Sequence, residues 1–566
     1  MKAISYLLAS ASAAMLLTGC LDDKYDLSDV DTTAQFKVEN LTLPLNLDEI
    51  TLGDIIDPKE DGNLKIIDGQ YVFTDDGTFA SDPVNIDPIH ITAPYIAPLH
   101  DLIQSAGASG DETTYPVESS WASFNYLSED VSEYILDITQ IVPQMTMRID
   151  ISVDELRGST GTMRFTDLRI KLPVGLEMTP SAGSYNPADG ILTVPSATTN
   201  TGVLTLTASI ERINVPTEAA SFVPSTRTFT FSDKMRIESG NLTLRASEQP
   251  GMAAQMTLTV DFSFSDLTAE MMSGRVYYTM SGFDIAPINL DDLPDFLSQS
   301  GTDIKLFNPQ IYMTVNNPVG EFDLTSYAGL KLTPIREEQP GTALSIDNGT
   351  FDIPATEGNG PYQFCLSPAL PQKYPEGYTS PIHVDFTTLG NILSGDGLPK
   401  TINVDIPDAG IAPQDVTDLQ LGDLGAVDGK YLFYSPLAFA SNSLIRYADT
   451  VDGWNDDTVD KITIQHMVVT ATATNTTPFD VTISGNPIGV GGQPINNVDI
   501  LGADLPKGAV NQPITLYITG TVTHLDGITF TASLRNPADS EVLTPTEGIN
   551  LKNVKVTVTG NYTDEL

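Results

Sequence analysis

Two-residue alternation over long stretches is the feature that most limits how this chain can fold. In MTLTVDFSF at 256–264 every even position is apolar and every odd one polar. Met145, Met147, Ile149, Ile151 and Val153 alternate in the same way with Thr146, Arg148, Asp150 and Ser152. Near the end Val554, Val556 and Val558 alternate with Lys555, Thr557 and Thr559. Successive strand side chains point to opposite faces, so each stretch predicts a strand with one dry and one wet face. That pattern favours antiparallel sheets stacked in pairs. Turn chemistry agrees: Asp189-Gly190 stands between Tyr185 and the apolar run from Ile191, a hairpin signal. Helical patterns are few. LDDLPDFL at 290–297 has room for one or two turns, with Pro294 placed early. The expected class is mainly β, as tandem antiparallel β-sandwich units with few short helices. A chain of 566 residues needs more than one core, because single cores stop growing near ~250–300 residues.

Internal similarity suggests how those units are arranged. IDGQYVF at 67–73 with FAS at 79–81 returns as VDGKYLF at 427–433 with FAS at 439–441, at identical internal spacing. LGDI at 52–55 and LGDL at 421–424 lie upstream of the two copies. This predicts two related β units, one in each half. A second pair, NNPVGEFDLT at 316–325 and NTTPFDVT at 475–482, shares a strand end, Asn, Pro and a Phe-Asp-aliphatic-Thr restart. This pair resembles the Asn-Pro hairpin of late-embryogenesis-abundant-type β-sandwiches, which implies a shape and no activity. The expected division is a leader at 1–19, an acidic tether at 20–35, a first β region at 36–290, a module with the Asn-Pro hairpin at 291–400, and a C-terminal unit at 401–566.

The N-terminus addresses location. MKAISYLLASASAAMLLTGC carries Lys2, an apolar run from Ile4 to Leu17, and Leu17-Thr18-Gly19-Cys20. A short charged start, an apolar stretch too short to span a bilayer and small closing residues form a secretory leader. LTGC resembles a bacterial lipobox, which implies that Cys20 is lipidated through its thiol and becomes the first mature residue. Several acyl chains, at about 0.8 kcal/mol per buried CH₂, make such an anchor effectively permanent. The acids of LDDKYD that follow resemble the export signal of Bacteroidota-type surface lipoproteins, which implies outer-membrane anchoring with the fold at the cell surface. The periplasm-facing leaflet is the alternative. With Cys20 acylated, Cys365 has no intramolecular partner, and its setting YQFCL suits a strand core. The excess of 74 acids over 28 bases, a net charge of −46, sets nucleic acid aside as a partner.

Motifs for chemistry are sparse. The histidines 90, 100, 383, 466 and 524 form no tight ligand pair, so no metal site is expected. His90 and His383 share a Pro-Ile-His-aliphatic setting that suits the beginning of a strand, and His466 and His524 share parity with apolar neighbours, which predicts partial burial. DGWNDDT at 452–458 is rich in oxygen ligands but lacks EF-hand periodicity; no cofactor is expected, with calcium at this loop left open. No GxSxG, Walker A or dinucleotide fingerprint is present, so the chain is expected not to be an enzyme. Tyr277, Tyr278, Tyr374 and Tyr378 are the candidates for glycan contact, since aromatic faces with a polar tip suit sugars. Thr32, Thr450 and Thr458 follow aspartates in a pattern that resembles O-glycosylation acceptors of such envelopes. The resulting expectation is a lipid-anchored, non-catalytic surface module, structural or binding. Its alternatives are a glycan-binding accessory lipoprotein of a nutrient-uptake system, a glycoside hydrolase, and a fimbrial or adhesin subunit that exchanges strands with a protein partner.

Overall fold

The computed structural model describes residues 33–565 apart from 44–49, 61, 158–160, 248–252, 291, 295–296, 298–300, 337–344, 355–360, 396–397, 456–458 and 540–541. Cys20, Thr32 and Thr458 lie outside the described residues, as does part of 290–297, where Leu293 N–H donates to the Leu290 carbonyl and Leu297 N–H to the Pro294 carbonyl. The described chain is almost all β in its regular structure, arranged in several antiparallel sheets as tandem β-sandwich units, with a four-residue α-helix at Leu52–Ile55. The alternating stretches are strands: Gln255–Phe264 and Met145–Val153 pair side by side, and Met256, Leu258, Val260 and Phe262 turn their side chains into the core.

A twelve-stranded sheet is the spine. Its main path runs Ile288–Asn289, Thr401–Asp405, Ser326–Ile335, Ala409–Gln420, Met271–Thr279, Ile135–Val142, Val203–Asn214, Met145–Val153, Gln255–Phe264 and Leu99–Gln104. One end packs on an eight-stranded sheet centred on Thr228–Arg245, where Phe124 meets Phe264 at 5.0 Å between ring centroids. The other end packs on a six-stranded sheet, where Phe351 meets Phe364 at 5.3 Å. Met271–Thr279 pairs with Ala409–Gln420, so the spine carries strands from the expected first, middle and C-terminal regions alike. The expected boundaries are therefore crossed by shared sheets. Pairing between strands far apart in the chain leaves no mark on local alternation.

The repeat shows this best. Gln70–Ala80 and Asp428–Pro436, which carry the two copies, are antiparallel neighbours in the six-stranded sheet. Thr74 faces Tyr434, its own counterpart in the other copy, so a local two-fold axis passes between them. The copies build a joint and do not head separate units. The same Asp-Gly pair serves two purposes: Asp68 (φ 53°) and Gly69 (φ 78°) make a tight hairpin turn, whereas Asp428 and Gly429 lie within the strand. Aromatic rings cover glycines across the joint. A Cβ on Gly77 would come within 2.6 Å of the Tyr431 ring, and one on Gly429 within 2.6 Å of the Phe79 ring. Gly77→Val is expected to displace Tyr431 and lower stability by about 1–3 kcal/mol, read by chemical denaturation.

The C-terminal sandwich takes its first strand from the other end of the chain. One sheet is ordered Thr33–Leu43, Gly548–Glu565, Ile462–Asn475, Gln512–Val522 and Val498–Leu501; the facing sheet is ordered Leu444–Val451, Leu525–Arg535, Asp480–Gly489 and Gln493–Pro494. Both Asn-Pro segments are corners. Asn475 is 1% exposed, and its Nδ2 donates to the Phe479 carbonyl at 2.8 Å while its Oδ1 accepts from Thr477 Oγ1 at 2.7 Å. Asn317 is also buried and donates to Ser326 Oγ at 3.0 Å. His466 and His524 depart from the parity reading and are exposed. A bulge between Ile464 and His466 resets the alternation, and His524 (φ 53°) sits in a turn.

Candidate functional site

Bulges also shape the outer face of the spine. Pairing shifts register between Ile138 and Gln140, between Met272 and Gly274, and between Val276 and Tyr278. Each bulge bends its strand and re-aims the next side chain. The result is a trough of about 670 Å³ crossing four strands, lined by Asp137, Thr139, Gln140, Asn214, Ser273, Gly274, Arg275, Asp415, Val416 and Thr417. Gly274 is required at its floor, since a Cβ there would approach the Asp137 carbonyl oxygen to 2.1 Å.

Arg212 organises this face. It donates to Gln140 Oε1 and, in a fork, to Asp418 Oδ1 at 2.6 Å and Oδ2 at 3.1 Å. Gln140 in turn donates from Nε2 to Asn214 Oδ1 at 2.7 Å, and Asn214 Nδ2 donates to the Gly175 carbonyl at 3.0 Å. Ser273 Oγ accepts from the Asp418 N–H at 3.0 Å. The hydrogen bonds from Arg212, reinforced by its charge, hold the Asp418 carboxyl below its ordinary range. Planar donor–acceptor groups are thereby fixed in orientation, while Thr139, Arg275, Asp415 and Thr417 present exposed polar ends beside them.

A tyrosine cluster lies on the same strand as Ser273 and Arg275. Tyr134 meets Tyr277 at 5.7 Å and Tyr278 at 4.2 Å between centroids, with ring planes 66° and 42° apart. Tyr277 follows Ser273 and Arg275 by twos and so belongs to the trough face. Tyr278 is engaged elsewhere, its hydroxyl accepting from Asn85 N–H at 3.3 Å and donating to the Pro83 carbonyl at 3.4 Å. Tyr374 and Tyr378 are on the six-stranded sheet, folded over buried Tyr312 at 6.4 and 4.8 Å. The four tyrosines thus belong to two places, all half-buried and none stacked parallel with its neighbours. Thr450 is exposed on the edge strand Leu444–Val451, its Oγ1 2.9 Å from Thr529 Oγ1.

Other chemistry-bearing groups have structural duties. His90 and His383 each lie in a short strand, in different sheets, and bond to Thr268 Oγ1 at 2.9 Å and Ser367 Oγ at 3.1 Å. Ser367 donates its hydroxyl proton to the Ala369 carbonyl at 2.8 Å, so His383 Nε2 is the donor to Ser367. That is the wrong polarity for a base activating a serine. Cys365 is buried beside them, and burial pushes its thiol up. In the loop at 452–458, Trp454 is buried and Asn455 N–H donates to Asp526 Oδ1 at 3.0 Å; the remaining residues 456–458 are outside the described set. Among the described residues no group of three His, Cys, Asp or Glu is placed to hold a metal. No described helix is long and apolar enough to cross a membrane.

The local sequence signal for the trough is weak: Thr139, Gln140, Arg212, Asn214, Ser273 and Arg275 read only as wet positions of alternating strands. No protein-family profile matches the chain, and no curated protein matches it. Among solved structures, a "putative secreted protein" from Parabacteroides distasonis ATCC 8503 is 15% identical at a TM-score of 0.35, covering 51% of this chain and 90% of that one. The Penaeus vannamei nodavirus structure is 8% identical at a TM-score of 0.12, covering 49% of this chain and 89% of that one.

Proposed function

We propose that this chain is a lipid-anchored, non-catalytic binding module of the cell envelope, held by acylated Cys20 to the outer membrane with the fold at the cell surface, and that it takes a glycan in the trough. The observation that carries the reading is the network of Arg212, Gln140, Asn214 and Asp418, of which Gln140 and Asn214 line the trough together with Arg275. Sugar hydroxyls donate and accept at once, which suits carboxamide, carboxylate and guanidinium groups whose orientations are already set. A chain of net charge −46 favours a neutral glycan over an anionic one. Asp418 is kept ionised by Arg212 and is unsuited to be the protonated acid of a glycosidase. The last strand, Gly548–Glu565, is paired on both edges, an arrangement that disfavours strand exchange at the C-terminus.

A glycan array probed with the leaderless Cys20→Ser chain identifies the ligand. Gln140→Ala and Arg275→Ala are each expected to weaken binding of that ligand about 2- to 12-fold, the equivalent of one hydrogen bond of about 0.5–1.5 kcal/mol, measured by calorimetry. Mass spectrometry of the native product is expected to show Cys20 as the first residue, carrying a diacylglycerol thioether and an N-acyl group. An intact leader or a free thiol there would remove the anchor from the account.

A further inference from the structure

The C-terminal sandwich has a second cavity of opposite character. Stacked sheets lie about 10 Å apart, and the gap is normally filled by large side chains from both inner faces. Here Ala471 on one sheet and Ala532 on the other occupy inner positions. A cleft of about 150 Å³ remains, walled by these alanines, Leu534 and Ile549 among other apolar residues. Protein interiors rarely leave voids larger than a water molecule. Apolar cavities of this size stay dry and take small apolar guests. The cleft is not closed: Leu534 and Ile549, though inward-facing, are only half-buried.

Besides Thr477, its polar contribution comes from the edge strand Leu444–Val451. Tyr447 and the exposed Asp449 line the cleft, two residues apart on the same face, and Asp449 Oδ1 accepts from Thr450 N–H at 2.8 Å. Burial and the neighbouring Asp449 charge push the Tyr447 phenol up, so it is a neutral hydroxyl. A carboxylate at the mouth of an apolar cleft, on a chain of net charge −46, repels an anionic head group and attracts a cationic or hydroxyl one.

We propose that this cleft binds a non-anionic amphiphile, its alkyl chain between Ala471 and Ala532 and its amine or hydroxyl head at Asp449. The site is separate from the trough, and neither reading depends on the other. The test is calorimetric titration of the leaderless Cys20→Ser chain with octylamine, octan-1-ol and octanoate. Octylamine and octanol are expected to bind, octylamine more tightly, with octanoate at least tenfold weaker. Ala532→Leu, or Ala471→Leu should that variant fold poorly, is expected to weaken octylamine at least tenfold by filling the cleft. Asp449→Asn is expected to erase the preference over octanoate, while Gln140→Ala leaves all three unchanged. Octanoate binding as tightly as octylamine, or octylamine binding that survives both fillings, would overturn the proposal. So would a third result. Leu45 and Leu47 belong to the sequence PLNLDE at 44–49, between Leu43, paired with Val556, and Ile50, whose partner Ile549 lines the cleft. If only the Leu45→Ser/Leu47→Ser chain binds octylamine, the occupant is the chain's own segment.

Discussion

Phe433→Ala is expected to destabilise the protein by about 3–5 kcal/mol, the range for deleting a buried aromatic ring. Phe433 is 1% exposed, and its ring meets that of Phe73 edge-on at 6.0 Å. These are the same position of the two sequence repeats, brought together by the antiparallel pairing of Gln70–Ala80 with Asp428–Pro436. The edge-to-face contact adds about 0.5–1.5 kcal/mol to the area buried. Because this joint ties residues near the start of the described chain to residues near 430, the loss should lower the unfolding midpoint of the strands on both sides of it. Urea denaturation followed by circular dichroism and by hydrogen exchange checks both points. Phe36→Ala is the control: Phe36 is 51% exposed, and its removal should shift stability by no more than about 0.5 kcal/mol. Independent unfolding of the two repeats in the Phe433→Ala protein would show that the joint is not cooperative.

Asn475→Ala should cost about 3 kcal/mol through a different route, the orphaning of buried polar groups. The Asn475 side chain donates to the carbonyls of Phe479, Leu505 and Pro506, at 2.8, 3.3 and 3.3 Å, and accepts from Thr477 N–H at 3.0 Å and Thr477 Oγ1 at 2.7 Å. Alanine leaves Thr477 and these carbonyls without that partner inside the protein, where no water replaces it cheaply. Asn475→Asp should be no better, since a carboxylate cannot donate to the carbonyls. Thermal melting of both variants against the parent measures the effect. A shift equivalent to less than 1 kcal/mol would mean that the corner holds without its asparagine.

How much of this was legible beforehand differs by level. Period-two alternation revealed the strands and their buried faces, as in 256–264, because a strand's burial is a local property of its own sequence. The Asn-Pro corner at 475–478 was likewise visible, since turn chemistry is local. The pairing of strands was not. The repeat at 67–81 and 427–441 pointed to two related units, whereas its copies lie against each other in one sheet. Likewise 33–35 was expected in the tether and 36–43 in the first region, whereas Thr33–Leu43 is one strand paired with Gly548–Glu565. The trough was hidden for the same reason. Gln140, Asn214, Ser273, Arg275 and Asp415 come from four strands and meet only through non-local pairing, and the bulges that hollow it interrupt the alternation. His466 shows the same limit, since one bulged residue turned a predicted inner side chain outward.

The trough is the centre of this account, and the measurement that reaches it most directly is calorimetry of the array-selected glycan against the parent chain, Gln140→Ala, Arg275→Ala and Tyr374→Ala. Binding that falls about 2- to 12-fold in each of the first two, and is unchanged in Tyr374→Ala on the other sheet, is the predicted result. Unaltered affinity in both trough variants, or a loss confined to Tyr374→Ala, would contradict it.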